Sequence, residues 1–244
     1  MAQVGAPGSR WEGVADATHP IETATRTRTR RLFVAPDPTS VTRPVGGLYV
    51  DVVKPTFDRL VAAVLLVLVS PVLALTAIAL RATLGRGIIY RQQRVGRDGV
   101  PFTVLKFRTM QADRRQQRVT VEVDRRVTHK SANDPRHTRL GRLIRAAGID
   151  ELPQLVNVVR GEMSIIGPRP ELPAVVDRYQ PWEHARHAVK PGITGLWQIR
   201  ERGRGAQMHE CVDIDLEYVD SIGFWTDLRI LLATPYHLLL CRGE

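Results

Sequence analysis

Asp150 and Glu151 are adjacent carboxylates at the predicted start of a helix, and they are the side chains in this sequence best suited to chemistry. Mg²⁺ prefers carboxylate oxygens, usually one or two of them together with substrate phosphates. A carboxylate can also attack phosphorus and form an acyl phosphate. The pair therefore suits a nucleophile with a metal ligand, or a base with a metal ligand. The structural alternative is that acidic residues in a first helical turn complement the helix dipole, and that Asp150 is the N-cap.

Basic residues occur in strings on both sides of this pair. These are Lys106 and Arg108 in one string, Arg139, Arg142 and Arg145 at a spacing of three, and Arg169 in Gly167-Pro168-Arg169-Pro170. Arginine forks match phosphate oxygens, and convergent cations suit a pyrophosphate. Each string taken alone also fits an ordinary solvated basic face. His184 and His187 are interpreted as surface or core histidines, because further metal ligands at a fitting spacing are missing from the sequence.

The elements around these residues can be read from the local pattern. Gly96 to Gly99 predicts a turn, and Pro101 to Leu105 predicts a strand that leads to Lys106. Residues 138–147 and the segment that Asp150 opens and Gly161 ends are predicted as helices. The charged stretch 110–130 is predicted as an exposed loop or surface helix. The C-terminal residues have a broad apolar helical face, which fits either a core helix or an interfacial one.

A run without charge from Leu60 to Leu80 is the strongest compositional feature. At about 1.5 Å per residue it reaches roughly 30 Å, the thickness of a bilayer core. Ser70-Pro71 lies in its middle, and a proline there is expected to break or kink the helix. Both flanks are basic, which favours the cytoplasmic side for both ends. A re-entrant helix that bends at Ser70-Pro71 is therefore predicted, and a kinked single span is the alternative.

Composition sets the remaining bounds. The 244 residues carry 35 Lys and Arg against 25 Asp and Glu, a formal net charge of +10, which favours anionic partners such as phosphorylated substrates, acidic lipid or nucleic acid. Two cysteines make no disulfide framework, so a reduced, cytoplasmic setting is expected. Residues 1–46 are predicted to be a disordered basic tail, 47–82 a re-entrant membrane region, and 83–244 a cytoplasmic catalytic domain.

Taken in order, the strings of this sequence resemble the bacterial sugar transferase family of monotopic polyprenyl-phosphate phosphoglycosyl transferases, in its short form. The resemblance runs from about residue 54 to the end. The matching strings are the apolar run with Ser70-Pro71, Gln93-Arg94-Val95-Gly96, Lys106-Phe107-Arg108-Thr109-Met110, Asp134-Pro135-Arg136 with Thr138-Arg139-Leu140-Gly141-Arg142, Asp150-Glu151-Leu152-Pro153-Gln154-Leu155, Met163-Ser164-Ile165-Ile166-Gly167-Pro168-Arg169-Pro170, Lys190-Pro191-Gly192-Ile193-Thr194-Gly195-Leu196-Trp197-Gln198, and Asp215 with Tyr218-Val219.

The resemblance implies a mostly helical α+β fold, with a re-entrant membrane helix and interfacial amphipathic helices, at the cytoplasmic face of the bacterial plasma membrane. It implies transfer of a sugar-1-phosphate from a UDP-sugar to polyprenyl (undecaprenyl) phosphate, in the first membrane step of glycoconjugate or exopolysaccharide synthesis. Asp150 would be the nucleophile and UMP would leave, with Glu151 assisting through metal or proton handling. The implied cofactor is Mg²⁺, bound by Asp150 and Glu151. The residues implied to bind phosphate, substrate or the lipid's anionic head are Lys106, Arg108, Arg145, Arg169 and, less definitely, Asp215.

The chain departs from the family pattern in three places, at residues 85–90, 199–202 and 222–224. The last two fit either an altered nucleotide-sugar selection or sequence drift without functional effect, so the sugar is not predicted, and the oligomeric state is left open. Membrane lipid is an expected partner and nucleic acid is not. Two other classes of protein remain as alternatives: a membrane-anchored basic protein that binds nucleic acid or acidic lipid, and a hydrolase that cleaves a nucleotide-sugar with water.

Overall fold

A computed structural model of the chain describes residues 45–111, 138–201 and 211–240, with the side chains of 237–240 left out. The predictions for the tail before residue 45 and for most of the charged stretch 110–130 therefore lie outside the described residues.

The elements, in chain order, are a π-helical turn Tyr49–Val53, α1 Lys54–Leu84, β1 Ile89–Val95, β2 Pro101–Phe107, α2 Arg139–Ala146, a 3-10 turn Ile149–Glu151, α3 Gln154–Arg160, β3 Ser164–Ile166, α4 Pro173–Val176, a 3-10 helix Pro181–Ala188, β4 Gly192–Thr194, α5 Leu196–Glu201, α6 Val212–Ser221 and α7 Phe224–Leu240.

The long apolar helix α1 continues through Pro71 without interruption, so the expected break in the helix is not confirmed. Pro71 has no N–H to donate to the carbonyl of Val67, four residues back. The hydroxyl of Ser70 donates to that carbonyl instead, at 2.8 Å. The Ser-Pro pair therefore supplies its own substitute for the missing backbone donor.

Most of the middle of α1 faces outward. Val67 is 73% exposed, and Leu68, Leu75 and Ile78 are similarly exposed, whereas Ala62 and Leu80 are fully buried against the rest of the fold. The helix is long and apolar enough to cross a membrane. An exposed apolar surface of this extent is unusual for a soluble monomer.

Both ends of α1 contact the same folded body. At the N-terminal end, Lys54 forms an ion pair with Asp227 of α7 at 2.7 Å. Asp58, one turn further on, accepts from the Ser164 hydroxyl of β3 at 2.5 Å. At the C-terminal end, the carbonyl of Leu84 accepts from the Arg108 guanidinium at 2.7 Å.

Strands β1 and β2 form an antiparallel hairpin, which pairs Tyr90 with Lys106 near its open end. The predicted turn is confirmed as a short 3-10 segment, Arg97–Gly99, in which Asp98 adopts a positive φ of 55°. Asp and Asn tolerate this left-handed conformation better than most residues, because their short side chains bond locally. The predicted strand before Lys106 is confirmed as β2.

The core is formed where α1, β2, α3, the parallel pair β3–β4, and the helices α6 and α7 meet. Asn157 of α3 is fully buried in this core and ties α3 to β2. Its side chain accepts from the Leu105 N–H at 3.1 Å and donates to the Thr103 carbonyl at 2.7 Å. The described residues are thus mostly helical with two small sheets, which confirms the α+β class.

Candidate active site

The carboxylate pair lies in a tight connection between α2 and α3. Helix α2 begins at an N-cap, Thr138, whose hydroxyl accepts from the Gly141 N–H at 2.9 Å. The chain then reverses at Gly148, whose φ of 69° favours glycine, and enters the 3-10 turn Ile149–Glu151. The prediction that Asp150 is the N-cap of the next helix is wrong: α3 begins only at Gln154, after Pro153. Asp150 lies in a separate turn because Pro153, with its fixed φ, is at the entry position of α3.

Glu151 accepts from two cations through the same oxygen. Lys106 Nζ and Arg169 Nη2 each lie 2.7 Å from Glu151 Oε1. Burial alone would raise the pKa of Glu151, but the charges of Arg169 and Lys106 outweigh it and hold the pKa well below its usual range. Glu151 is therefore an ionised carboxylate held in one position by charge-assisted hydrogen bonds.

Asp150 has the opposite electrostatic setting. Burial, followed by the neighbouring charge of Glu151, raises the pKa of Asp150, and the cations Lys106 and Arg169 only partly oppose this. Two adjacent carboxylates thus carry different basicities, as expected when they have different roles. A raised pKa also makes Asp150 the more basic and more nucleophilic carboxylate of the pair.

A buried cluster of charged side chains contacts the backbone of Arg169. Arg186 donates to the Arg169 carbonyl at 2.8 Å and to the Asp215 carboxylate at 2.5 Å. Arg186 and Asp215 are each only 1% exposed, and Glu171 lies in the same cluster. Burial raises the pKa of Asp215 to about 6, against the opposing effect of Arg186. Asp215 is thus linked to the backbone of Arg169 through Arg186.

The other two predicted basic residues bind protein groups next to the site. Arg108 donates to the last turn of α1, as described above, and Arg145 donates from Nη1 to the Thr109 hydroxyl at 2.9 Å. The contacts therefore bring Asp150, Glu151, Lys106 and Arg169 together, while Arg108 links the site to α1 and Arg145 links it to the segment that follows β2.

Asp150 and Glu151 supply suitable oxygen ligands for Mg²⁺. The described residues contain no group of three or more His, Cys, Asp or Glu side chains that would form an all-protein metal site. Mg²⁺ rarely requires one, since substrate phosphates and water complete its six oxygens. Both ion pairs of Glu151 use Oε1, so Oε2 and the Asp150 carboxylate are the donors that fit this role.

Sequence reasoning missed several residues that shape the site. Arg186, Asn157 and Gln198 are buried polar residues whose roles depend on contacts between distant parts of the chain. Glu151 also forms part of the wall of a cavity of about 200 Å³ in which Gln198 is a second polar side chain. The signal that could have found Gln198 is its place at the end of the string Lys190 to Gln198, one of those that carry the resemblance.

Comparison with known proteins assigns the chain to a family. Residues 49–240 match the model of the bacterial sugar transferase family, which covers most of the chain, and the chain belongs to that family. It is therefore a sugar transferase, and all of the site residues described above lie inside the matched region.

Named relatives are similar over most of this chain. It is 39% identical over 203 residues to the UDP-glucose:undecaprenyl-phosphate glucose-1-phosphate transferase of Caulobacter vibrioides, covering 80% of this chain and 73% of that protein. It is 36% identical over 233 residues to the exopolysaccharide production protein ExoY of Rhizobium meliloti, covering 92% of this chain and 100% of that protein. The UDP-glucose:undecaprenyl-phosphate glucose-1-phosphate transferase of Escherichia coli is 38% identical over 200 residues, which are 79% of this chain and 41% of that protein.

Proposed function

We propose that this chain transfers a sugar-1-phosphate from a UDP-sugar to undecaprenyl phosphate or a similar polyprenyl phosphate and releases UMP. The observation that carries the proposal is the group of Asp150, Glu151, Lys106 and Arg169, because it combines a nucleophile with fixed cations. Phosphoryl transfer depends mainly on positioning and on stabilising charge at the phosphoryl oxygens. The names of the Caulobacter and Escherichia relatives, both UDP-glucose:undecaprenyl-phosphate glucose-1-phosphate transferases, agree with this reaction class.

In the first step, an oxygen of Asp150 attacks the phosphorus that bears the sugar. A bond forms between Asp150 and that phosphorus, and the bond to the bridging oxygen of the pyrophosphate breaks, so UMP leaves with the electron pair. Lys106 and Arg169 lie close enough to Asp150 to affect its pKa and are placed to bind the phosphoryl oxygens. A Mg²⁺ ion bound by the two carboxylates would add further positive charge at these oxygens.

In the second step, an oxygen of the polyprenyl phosphate attacks the phosphosugar held on Asp150. The acyl phosphate bond breaks, the Asp150 carboxylate is regenerated, and a new pyrophosphate joins the lipid to the sugar. Glu151 stays ionised throughout because its two cations stabilise its charge. Its role in this scheme is to position Lys106 and Arg169 and to share the metal ion.

We further propose that α1 inserts its apolar middle into the cytoplasmic face of the membrane, bends at Pro71 while remaining helical, and returns to the same face. Its exposed apolar middle supports membrane insertion, and the contacts of both ends with one folded body oppose a straight span, which would separate those ends by the bilayer. This arrangement places the carboxylate pair beside the interface, where the phosphate of a polyprenyl lipid lies.

A screen of UDP-sugars tests the reaction. Detergent-extracted protein with Mg²⁺ and polyprenyl phosphate is expected to release UMP and to form a sugar-bearing lipid pyrophosphate with at least one UDP-sugar. Release of UMP without a lipid product would indicate a hydrolase, and binding of nucleic acid without turnover would indicate the basic binding protein. Either result would contradict the proposal.

A further inference from the structure

A cavity adjoins Glu151, and neither Lys106 nor Arg169 belongs to its wall. It has a volume of about 200 Å³ and lies where the connection before α3 meets β4, α5 and α7. The aliphatic part of its wall is formed by Leu152, Leu155, Ile193 and Ile199, and its polar side chains are those of Glu151, Gln198, Thr194 and Thr234. The two threonine hydroxyls bond to each other at 2.9 Å. The cavity therefore suits a mostly apolar group with a small number of hydrogen-bonding atoms.

Gln198 is the unusual member of this wall. It is only 5% exposed, and within the described part of the chain neither Oε1 nor Nε2 of its amide has a hydrogen-bond partner. A buried amide without partners is destabilising, and buried polar groups in native proteins are nearly always paired. An unpaired donor and an unpaired acceptor on one side chain, in the wall of a cavity, indicate a ligand that offers one of each.

We propose that this cavity binds the uracil base of the UDP-sugar and that Gln198 reads its imide edge. The uracil N3–H would donate to Oε1, and Nε2 would donate to one of the two uracil carbonyls that flank N3. This inference rests on the proposed function and deepens it by assigning the nucleotide's binding site.

The position of the cavity agrees with the chemistry of the substrate. In a UDP-sugar, the ribose and one phosphate separate the base from the phosphorus that Asp150 attacks, so the base must lie beside the carboxylate pair and not on it. Glu151 belongs to both the ion-pair group and the cavity wall, so it joins the two positions. Leu152 and Ile199 provide the apolar surface that the faces of a base require.

Two other parts of the substrates fit the cavity less well. An isoprenoid chain would match the aliphatic wall but would leave both amide atoms of Gln198 unpaired, which costs binding energy. A hexose offers many hydroxyl groups, whereas the Thr194 and Thr234 hydroxyls of the wall already bond to each other. The uracil edge, with a donor next to an acceptor, satisfies Gln198 at both atoms.

The test uses UMP and N3-methyl-UMP as competitive inhibitors of the full chain in detergent, read by formation of the sugar-bearing lipid product, because the methyl group removes only the N3–H donor. The wild type is expected to bind UMP at least about tenfold more tightly than N3-methyl-UMP, the effect of losing one well-placed buried hydrogen bond. Gln198→Met, which keeps the side-chain length, is expected to weaken UMP by about tenfold or more and to bring the ratio between the two competitors close to one. Gln93→Met is the matched control, since Gln93 is an amide on β1 that bonds to Thr103.

Three results would overturn the inference. The first is an unchanged preference for UMP over N3-methyl-UMP in Gln198→Met. The second is a raised KM for polyprenyl phosphate with an unchanged affinity for UMP. The third result applies if Gln198→Met does not fold. Ile199→Phe then replaces it, because the larger side chain reduces the cavity, and an unchanged affinity of this variant for UMP would overturn the inference. Failure of the proposed function is separate, because it would show as absence of UMP release in the wild type.

Discussion

At the scale of single residues, the site depends on giving two neighbouring carboxylates different surroundings. Glu151 has two cations on one oxygen, whereas burial and the charge of Glu151 act on Asp150. The same side chains that lower one pKa therefore leave the other raised. Two successive residues thus differ in basicity because the 3-10 turn gives them different neighbours, as the proposed mechanism requires of a nucleophile and a fixed negative charge.

Glu151→Gln tests this electrostatic arrangement through its pH dependence. The folded-state pKa of Glu151 lies below its ordinary value of 4.5, so its ionised form stabilises the fold above that pH, and the contribution is lost as the pH falls. At pH 7 the variant should be less stable by roughly 3 kcal/mol, because Lys106 and Arg169 lose their charged partner. The difference in Tm between variant and wild type should shrink as the pH is lowered below 4.5. A difference that is constant with pH would contradict the assigned ion pairs.

At the scale of elements, α1 shows how a helix can carry a proline without a break. Ser70 donates to the carbonyl that Pro71 leaves without a partner, so the helix keeps one hydrogen bond at that turn. Such compensation matters most in lipid, where water is not available to pair a free carbonyl.

A double-mutant cycle tests this compensation. Ser70→Ala should lower thermal stability in lipid nanodiscs by about 1 to 2 kcal/mol, because the Val67 carbonyl loses its donor. The same change in a Pro71→Ala background should cost much less, since the restored backbone N–H takes over. Thr83→Ala is the matched control. The Thr83 hydroxyl also donates to a carbonyl of its own helix, that of Ala79, but there the backbone N–H of Thr83 is present to donate to the same carbonyl. Equal costs of Ser70→Ala in both backgrounds would contradict the assigned role.

The sequence predicts elements well where the signals are local. The turn before Pro101, the strand to Lys106, the helix over residues 138–147 and the helix end at Gly161 all depend on neighbouring residues, and the structure has each of them. The start of α3 was predicted wrongly, because Asp150 and Pro153 both carry helix-start signals and proline determined the boundary. The partners of Arg186 and Gln198 were not predictable, since residues far apart in the sequence surround them.

At the scale of the whole molecule, the fold connects the long apolar helix α1 to the candidate site through short paths. Arg108 immediately follows β2, which presents Lys106 to Glu151, and its guanidinium binds the end of α1. At the other end of α1, Lys54 pairs with Asp227 of α7. Both ends of the apolar helix therefore contact one folded body, which is the basis of the proposed re-entrant topology.

Cysteine labelling in intact cells tests this topology. In a background without Cys211 and Cys241, single cysteines at Val50 and Arg86 should both be shielded from a membrane-impermeant thiol reagent, because both ends of α1 lie on the cytoplasmic face. Both should become labelled after the cells are permeabilised, which is the control. Labelling of the Val50 site from outside would show a spanning helix.

The central claim is covalent catalysis by Asp150, and a labelling experiment tests it most directly. Purified enzyme is incubated with Mg²⁺ and a UDP-sugar radioactive in the sugar, before any lipid is added, and the protein and the released nucleotide are analysed. Because attack occurs at the phosphorus that bears the sugar, the wild type should carry the label and release UMP. Asp150→Asn should do neither, and Asp220→Asn, a change of an exposed carboxylate on α6, should behave as the wild type. Release of UDP, or full labelling and turnover in Asp150→Asn, would contradict the account.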